Sequence, residues 1–123
     1  MSGSVLVDTP VWIRHFTGAY PGSGAKMLAV SAKLHEFTLG ELMLGSISRD
    51  AQILKDLQKV PRVHAVSHDH AVAFVQANRL EGSGIGWVDA HLLASAQVED
   101  AGIWTTDKAL AAAANRIGIP ITT

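Results

Sequence analysis

The chain has 123 residues, no cysteine and a formal net charge of −1. That length suits one domain, residues 1–123, with its own core. The missing cysteines exclude disulfides and thiolate zinc sites and fit a reducing compartment, while the near-neutral charge excludes a global basic field for nucleic acid. Hydrophobic residues make up 48% of the chain and the mean hydropathy is +0.22, an apolar excess that predicts a face covered by another copy or a second chain. The first residues, MSGSVLVDTP, carry no long apolar run of the signal-peptide kind. No stretch approaches the ~20 apolar residues of a membrane span. A cytoplasmic protein is expected.

Ser4–Val7 is a short apolar run that predicts a buried parallel strand. Asp8-Thr9-Pro10 breaks it, with Thr9 placed as N-cap and Pro10 at the first position of a helix over Val11–Phe16. The loop Gly18–Gly24 leads to a helix over Ala25–Ala32 and a strand over Lys33–Phe37. Thr38 and Glu41 have capping-box spacing, and Leu39, Leu42, Met43 and Ile47 follow a helical period up to a stop near Gly45. Asp50–Lys59 predicts a further helix, Pro61 ends it, and Val63–Val66 predicts the third strand. Ser67 caps a helix over His68–Leu80. The glycine-rich loop Gly82–Gly86 opens a helix over Trp87–Glu99. Gly102–Thr105 predicts the fourth strand, Lys108–Ile117 an alanine-rich helix and Pro120–Thr123 a last strand. This alternation predicts an α/β fold, a central parallel sheet with helices on both faces.

Four acids stand at the ends of these apolar elements: Asp8, Glu41, Asp89 and Asp107. Open α/β sheets place their sites at such strand-to-helix junctions. Each acid also has an ordinary explanation. Asp8 can be a turn residue, Glu41 the returning member of a capping box, Asp89 a dipole-favoured acid in a first turn and Asp107 an N-cap. The ordinary explanation has to succeed four times at comparable places. Clustered carboxylates repel unless a cation sits among them, so the pattern asks for a divalent metal. Thr105, two residues before Asp107, is placed to hydrogen-bond a carboxylate from the same side of its strand.

Other motifs carry less. Gly82–Gly86 follows a helix, where a dinucleotide loop would follow a strand. His15, His35, His64, His68, His70 and His91 show no paired zinc-ligand spacing and read as surface or packed residues. Trp12, Trp87 and Trp104 read as core or interface residues. A phosphoacceptor signalling domain would show adjacent acids after its first strand and a lysine after its last, and this chain has neither.

VLVDTPVWIRHF, TLGELMLG, GIGWVDAHLLASA and IWTTDKAL, in that order over nearly the whole chain, make it resemble the PIN-domain nucleases, and within them the VapC-type toxins of toxin–antitoxin pairs. The resemblance implies a three-layer α/β/α sandwich and a carboxylate pocket for Mg²⁺ or Mn²⁺, with the acids at Asp8, Glu41, Asp89 and Asp107 and a supporting hydroxyl at Thr105. It implies an endoribonuclease toxin that uses water to leave 5′-phosphate and 3′-hydroxyl ends. The partners it implies are a cognate antitoxin, an RNA substrate and a second copy, with operator DNA reached only through the antitoxin. Arg14, Lys26, Arg49 and Lys108 are the candidate phosphate contacts. The chain departs from the family at Pro10, where Ser or Asn is common, so a polar contact beside the site is missing or supplied elsewhere. A PIN nuclease of ordinary RNA processing and a catalytically silent metal- or RNA-binding module are the alternative functions.

Overall fold

The computed structural model describes residues 3–122. Its elements are β1 (Val5–Val7), α1 (Thr9–Phe16), α2 (Ser23–Ala29), β2 (Ala32–His35), α3 (Glu36–Leu44), a 3₁₀ turn (Ser46–Arg49), α4 (Ala51–Gln58), β3 (Arg62–Val63), α5 (His68–Ala77), α6 (Trp87–Glu99), β4 (Gly102–Trp104), α7 (Lys108–Arg116) and β5 (Ile121–Thr122). The strands form one sheet in the order β3-β2-β1-β4-β5, and every pairing is parallel. Parallel neighbours need crossovers, which put helices on both faces. The result is the α/β/α sandwich.

The two cores follow from the pleat of the central strands. On β1, Leu6 faces one side and joins residues of α5, α6 and α7, among them Phe74, Leu92, Leu93 and Leu110. Val5 and Val7 face the other side, with Val11 and Trp12 of α1, Met27 of α2, Leu42 of α3 and Leu57 of α4. β4 alternates in the same sense, Ile103 in the first core and Trp104 in the second. The next residues outward on the first face are Asp8 and Thr105, which therefore meet at the carboxyl end of the sheet.

Several expected boundaries move, each for a visible reason. Asp8, not Thr9, is the N-cap of α1: its Oδ1 accepts the Thr9 N–H at 2.9 Å, and Thr9 is already helical. β2 starts at Ala32, so the preceding helix is shorter than Ala25–Ala32. β2 stops at His35, because the His35 imidazole accepts the Phe37 N–H and starts α3 two residues before Thr38. The capping box at Thr38 and Glu41 is therefore absent, and Thr38 is buried inside the helix. β3 covers Arg62–Val63 and not Val63–Val66, since the Glu36 carboxylate takes the Ala65 N–H at 2.6 Å and draws that backbone out of the ladder. α5 ends at Ala77 and not Leu80, where Asn78 bonds back to the Phe74 carbonyl and Arg79 turns to a φ of 51°. α4 starts one residue after Asp50, which caps it. Of the last strand, Thr123 lies outside the described residues.

Candidate active site

The four acids come from separate parts of the fold, three of them at helix starts and Glu41 from within α3. Asp8 ends β1 and caps α1; it is 6% exposed. Its two oxygens are held separately, Oδ1 by the Thr9 N–H and Oδ2 by the Thr105 hydroxyl at 2.8 Å. Thr105 is itself buried, and its oxygen also accepts the Asp107 N–H at 3.0 Å. One hydroxyl thus fixes both the Asp8 carboxylate and the backbone from which Asp107 projects. Asp107 caps α7, its Oδ1 accepting from the N–H groups of Ala109 and Leu110.

Glu41 lies on α3, and its Oε1 accepts the Thr9 hydroxyl proton at 2.6 Å. That bond joins residues 32 positions apart and ties α3 to the start of α1. Asp89 sits in the first turn of α6, where its Oδ2 accepts the Gly86 N–H at 3.3 Å. Gly86 has no side chain, so half of a capping box is present, contributed by Asp89 alone. The loop before it passes through left-handed conformations at Gly82 and Gly84, with φ of 72° and 84°. Those two glycines let the chain turn sharply into α6 at little strain.

Asp8 and Asp89 each feel the charges of the other acids. Burial pushes the Asp8 carboxyl up from its ordinary range; the Thr105 and Thr9 hydrogen bonds oppose this, and Asp107 and Glu41 add repulsion. Asp89 is pushed up to about 6, first by burial and next by Asp8, with smaller repulsion from Asp107 and Glu41. A raised carboxyl among like charges marks a site that a cation would relieve. Among the described residues, no three carboxylate or imidazole groups stand close enough together to hold a metal ion as they are placed.

The other candidates are scattered. Lys108 is exposed directly after Asp107, and Arg14 and Arg49 are exposed on α1 and the 3₁₀ turn. The Lys26 ammonium lies over the Trp104 ring at 4.6 Å. Trp12 and Trp104 are core residues, whereas Trp87 keeps 44% of its surface exposed. A cavity of about 520 Å³ lies away from the acids between α1, α2, β2 and α4, and its lining is mostly apolar. Thr9 is the residue whose role differs most from the one its sequence position suggested. It supports Glu41 and does not cap α1.

The PIN domain family model matches residues 5–116. The chain belongs to the PIN domain family. Within it, the chain is 38% identical over 118 residues to "Ribonuclease VapC32" of Mycobacterium tuberculosis, a match that covers 95% of each protein. Two solved structures share its fold. One is a toxin–antitoxin complex from Klebsiella pneumoniae, at a TM-score of 0.70 and 22% identity, covering 98% of this chain and 97% of that one. The other is VapBC2 of Rickettsia felis bound to a DNA fragment from its promoter, at 0.73 and 13%, covering 96% of both chains. At those identities the structures speak for the PIN fold alone.

Proposed function

We propose that this PIN-domain chain is a Mg²⁺- or Mn²⁺-dependent endoribonuclease, the toxin of a toxin–antitoxin pair, silenced by a cognate antitoxin. The observation that supports this most is that Asp8 and Asp89, far apart in sequence, each feel the charges of Glu41 and Asp107, with Asp8 held at the carboxyl end of the sheet. The relative named as a ribonuclease, similar over 95% of both chains, supports the choice of RNA. The fold neighbours named as toxin–antitoxin complexes support the choice of partner.

The donor set fits a hard divalent cation. All four groups are carboxylates, and Mg²⁺ takes one or two carboxylates directly and keeps several waters. Bound there, the metal supplies Lewis-acid activation of a water and charge relief for the leaving oxygen of the phosphodiester. The chain does the rest. Thr105 and the Thr9 N–H lock both Asp8 oxygens, so this carboxylate is oriented before any ligand arrives. The Thr9 hydroxyl holds Glu41, the polar contact that Pro10 cannot make. Asp89, whose carboxyl is raised to about 6 by burial and by its acidic neighbours, is the acid whose ionisation a bound cation would favour most.

Lys108, adjacent to Asp107, is the nearest in sequence of the four proposed phosphate contacts; Arg14, Lys26 and Arg49 complete them. The exposed Leu28, Leu44 and Val98, with Leu44 at 92%, are apolar surface of the kind that a homodimer or an antitoxin covers. We place the protein in the cytoplasm, where its RNA would be; no described helix is long and apolar enough to cross a membrane. Operator DNA would be reached only through the antitoxin.

The test is RNA 5′-end sequencing after induction, together with cleavage in vitro. Wild type should arrest growth and cut RNA only with Mg²⁺ or Mn²⁺, leaving 5′-phosphates. Asp8→Asn and Asp89→Asn should each lower cleavage by about 100-fold or more, since each removes a charge from the ligand set. Co-expression of a cognate antitoxin should restore growth. Equal harmlessness of wild type and Asp8→Asn would sink the toxin reading, and cleavage without rescue by an antitoxin would favour ordinary RNA processing.

A further inference from the structure

β2 ends on His35, a histidine with no exposed surface that takes no part in the acid site. Both ring nitrogens are committed. Nδ1 accepts the Phe37 N–H at 3.0 Å, which caps α3, and Nε2 lies 3.0 Å from the Ser95 hydroxyl of α6. A backbone N–H can only donate, so Nδ1 is unprotonated and the ring proton sits on Nε2, donating to Ser95. Burial drives the imidazole down to about 4, so it stays neutral near pH 7.

The two elements this ring joins are those that carry Glu41 and Asp89. A ring contact also crosses between them: Phe37 of α3 meets His91 of α6 at 4.7 Å, edge on. Such contacts fill space but fix a distance weakly. The Lys33–Glu99 ion pair ties the far end of α6, at 3.7 Å. The His35–Ser95 bond is the directional tie nearer the acids.

We propose that His35 is a positioning residue whose imidazole sets the spacing of α3 and α6, and so of Glu41 and Asp89 across the mouth of the site. This rests on the four acids acting as one ligand set. Glutamine and asparagine separate the two bonds, because Gln Nε2 can stand in for imidazole Nε2 and Asn Oδ1 for Nδ1. His35→Gln keeps the tie to Ser95, His35→Asn keeps only the cap, and Ser95→Ala removes the tie while leaving β2 and α3 untouched.

The readouts are Mn²⁺ binding by electron paramagnetic resonance and, without metal, amide hydrogen exchange over Ala90–Ser95 of α6, beyond the unbonded first N–H groups. Ser95→Ala and His35→Asn should each weaken Mn²⁺ binding about tenfold and speed that exchange about tenfold, with the far-ultraviolet circular dichroism retained. His35→Gln should stay within about twofold of wild type. Wild-type behaviour of Ser95→Ala, or equal losses in the Gln and Asn variants, would overturn the proposal. If His35→Asn does not fold, Ser95→Ala decides alone. If wild type binds no Mn²⁺, the ligand role of the acids fails, and exchange in α6 still decides the tie.

Discussion

Thr105 gives its proton to Asp8 Oδ2 at 2.8 Å and takes the Asp107 N–H at 3.0 Å, so one side chain serves two of the acids. Thr105→Val keeps the shape and removes both bonds. It leaves a buried carboxylate oxygen and a part-buried N–H without partners, which costs about 1–3 kcal/mol. The outcome expected is a 10- to 100-fold loss of kcat, the usual scale for a group that orients a metal ligand. Thr105→Ser, which keeps the hydroxyl, should recover most of it. Equal activity of Val and Ser variants would show that the hydroxyl orients nothing. The Thr105–Asp8 bond was legible in the sequence because Asp8 ends an apolar run, where burial is costly unless the charge has a partner. Thr9 was misread, since Thr before Pro has the local signature of a cap and its partner Glu41 lies 32 residues away. His35 gave no signal: an isolated histidine in a strand looks the same whether packed or bonded.

The strands of this sheet are short, two to four residues each, and side chains from elsewhere decide where they stop. His35 and Glu36 end β2 and β3 by capturing the N–H groups of Phe37 and Ala65. The parallel sheet and its two covered faces were readable from apolar runs alternating with helical periods, because a parallel sheet buries both faces, whereas the strand order was not. These end points were not, since they depend on contacts between distant segments. Gly102 shows how little room β4 has. A Cβ there would lie 3.0 Å from the Pro120 carbonyl oxygen, the acceptor that pairs with the Ile103 N–H across to β5. Gly102→Ala must push β5 away, an overpacking cost of about 1–3 kcal/mol. The urea midpoint should fall with an unchanged slope. Cleavage of RNA at low temperature should survive, because the Thr105–Asp8 bond lies on the β1 side of β4. An unchanged midpoint would mean that β5 contributes nothing to holding β4.

Across the whole molecule, two buried titrations oppose each other over nearly the same pH range. His35 falls from 6.5 to about 4 on folding, so the unfolded chain binds its proton first and stability is lost as pH drops from 6.5 towards 4. Asp89 rises from 3.8 to about 6, so the folded chain holds the extra proton and stability is lost as pH rises from 3.8 towards 6. Asp8 is shifted in the same direction as Asp89, and His15 and His91 in the same direction as His35. The slopes, each at most about 1.4 kcal/mol per pH unit for one proton, therefore partly cancel in the metal-free protein. Asp89→Asn removes one side of the balance. The variant should match wild type near pH 4 and become more stable with rising pH, reaching a plateau above pH 6. The gain there should be about 1–2 kcal/mol once the partial exposure of Asp89 is allowed for. It would be more stable and inactive, as expected where a site holds like charges together for function. Mg²⁺ should reproduce the gain in wild type, because a cation among the acids favours their ionised forms, and should add little to the variant. Thermal denaturation of both proteins from pH 4 to 8, with and without Mg²⁺, measures all four curves. Parallel wild-type and variant curves without metal would mean that Asp89 feels no neighbouring charge, and the four acids would not form one site.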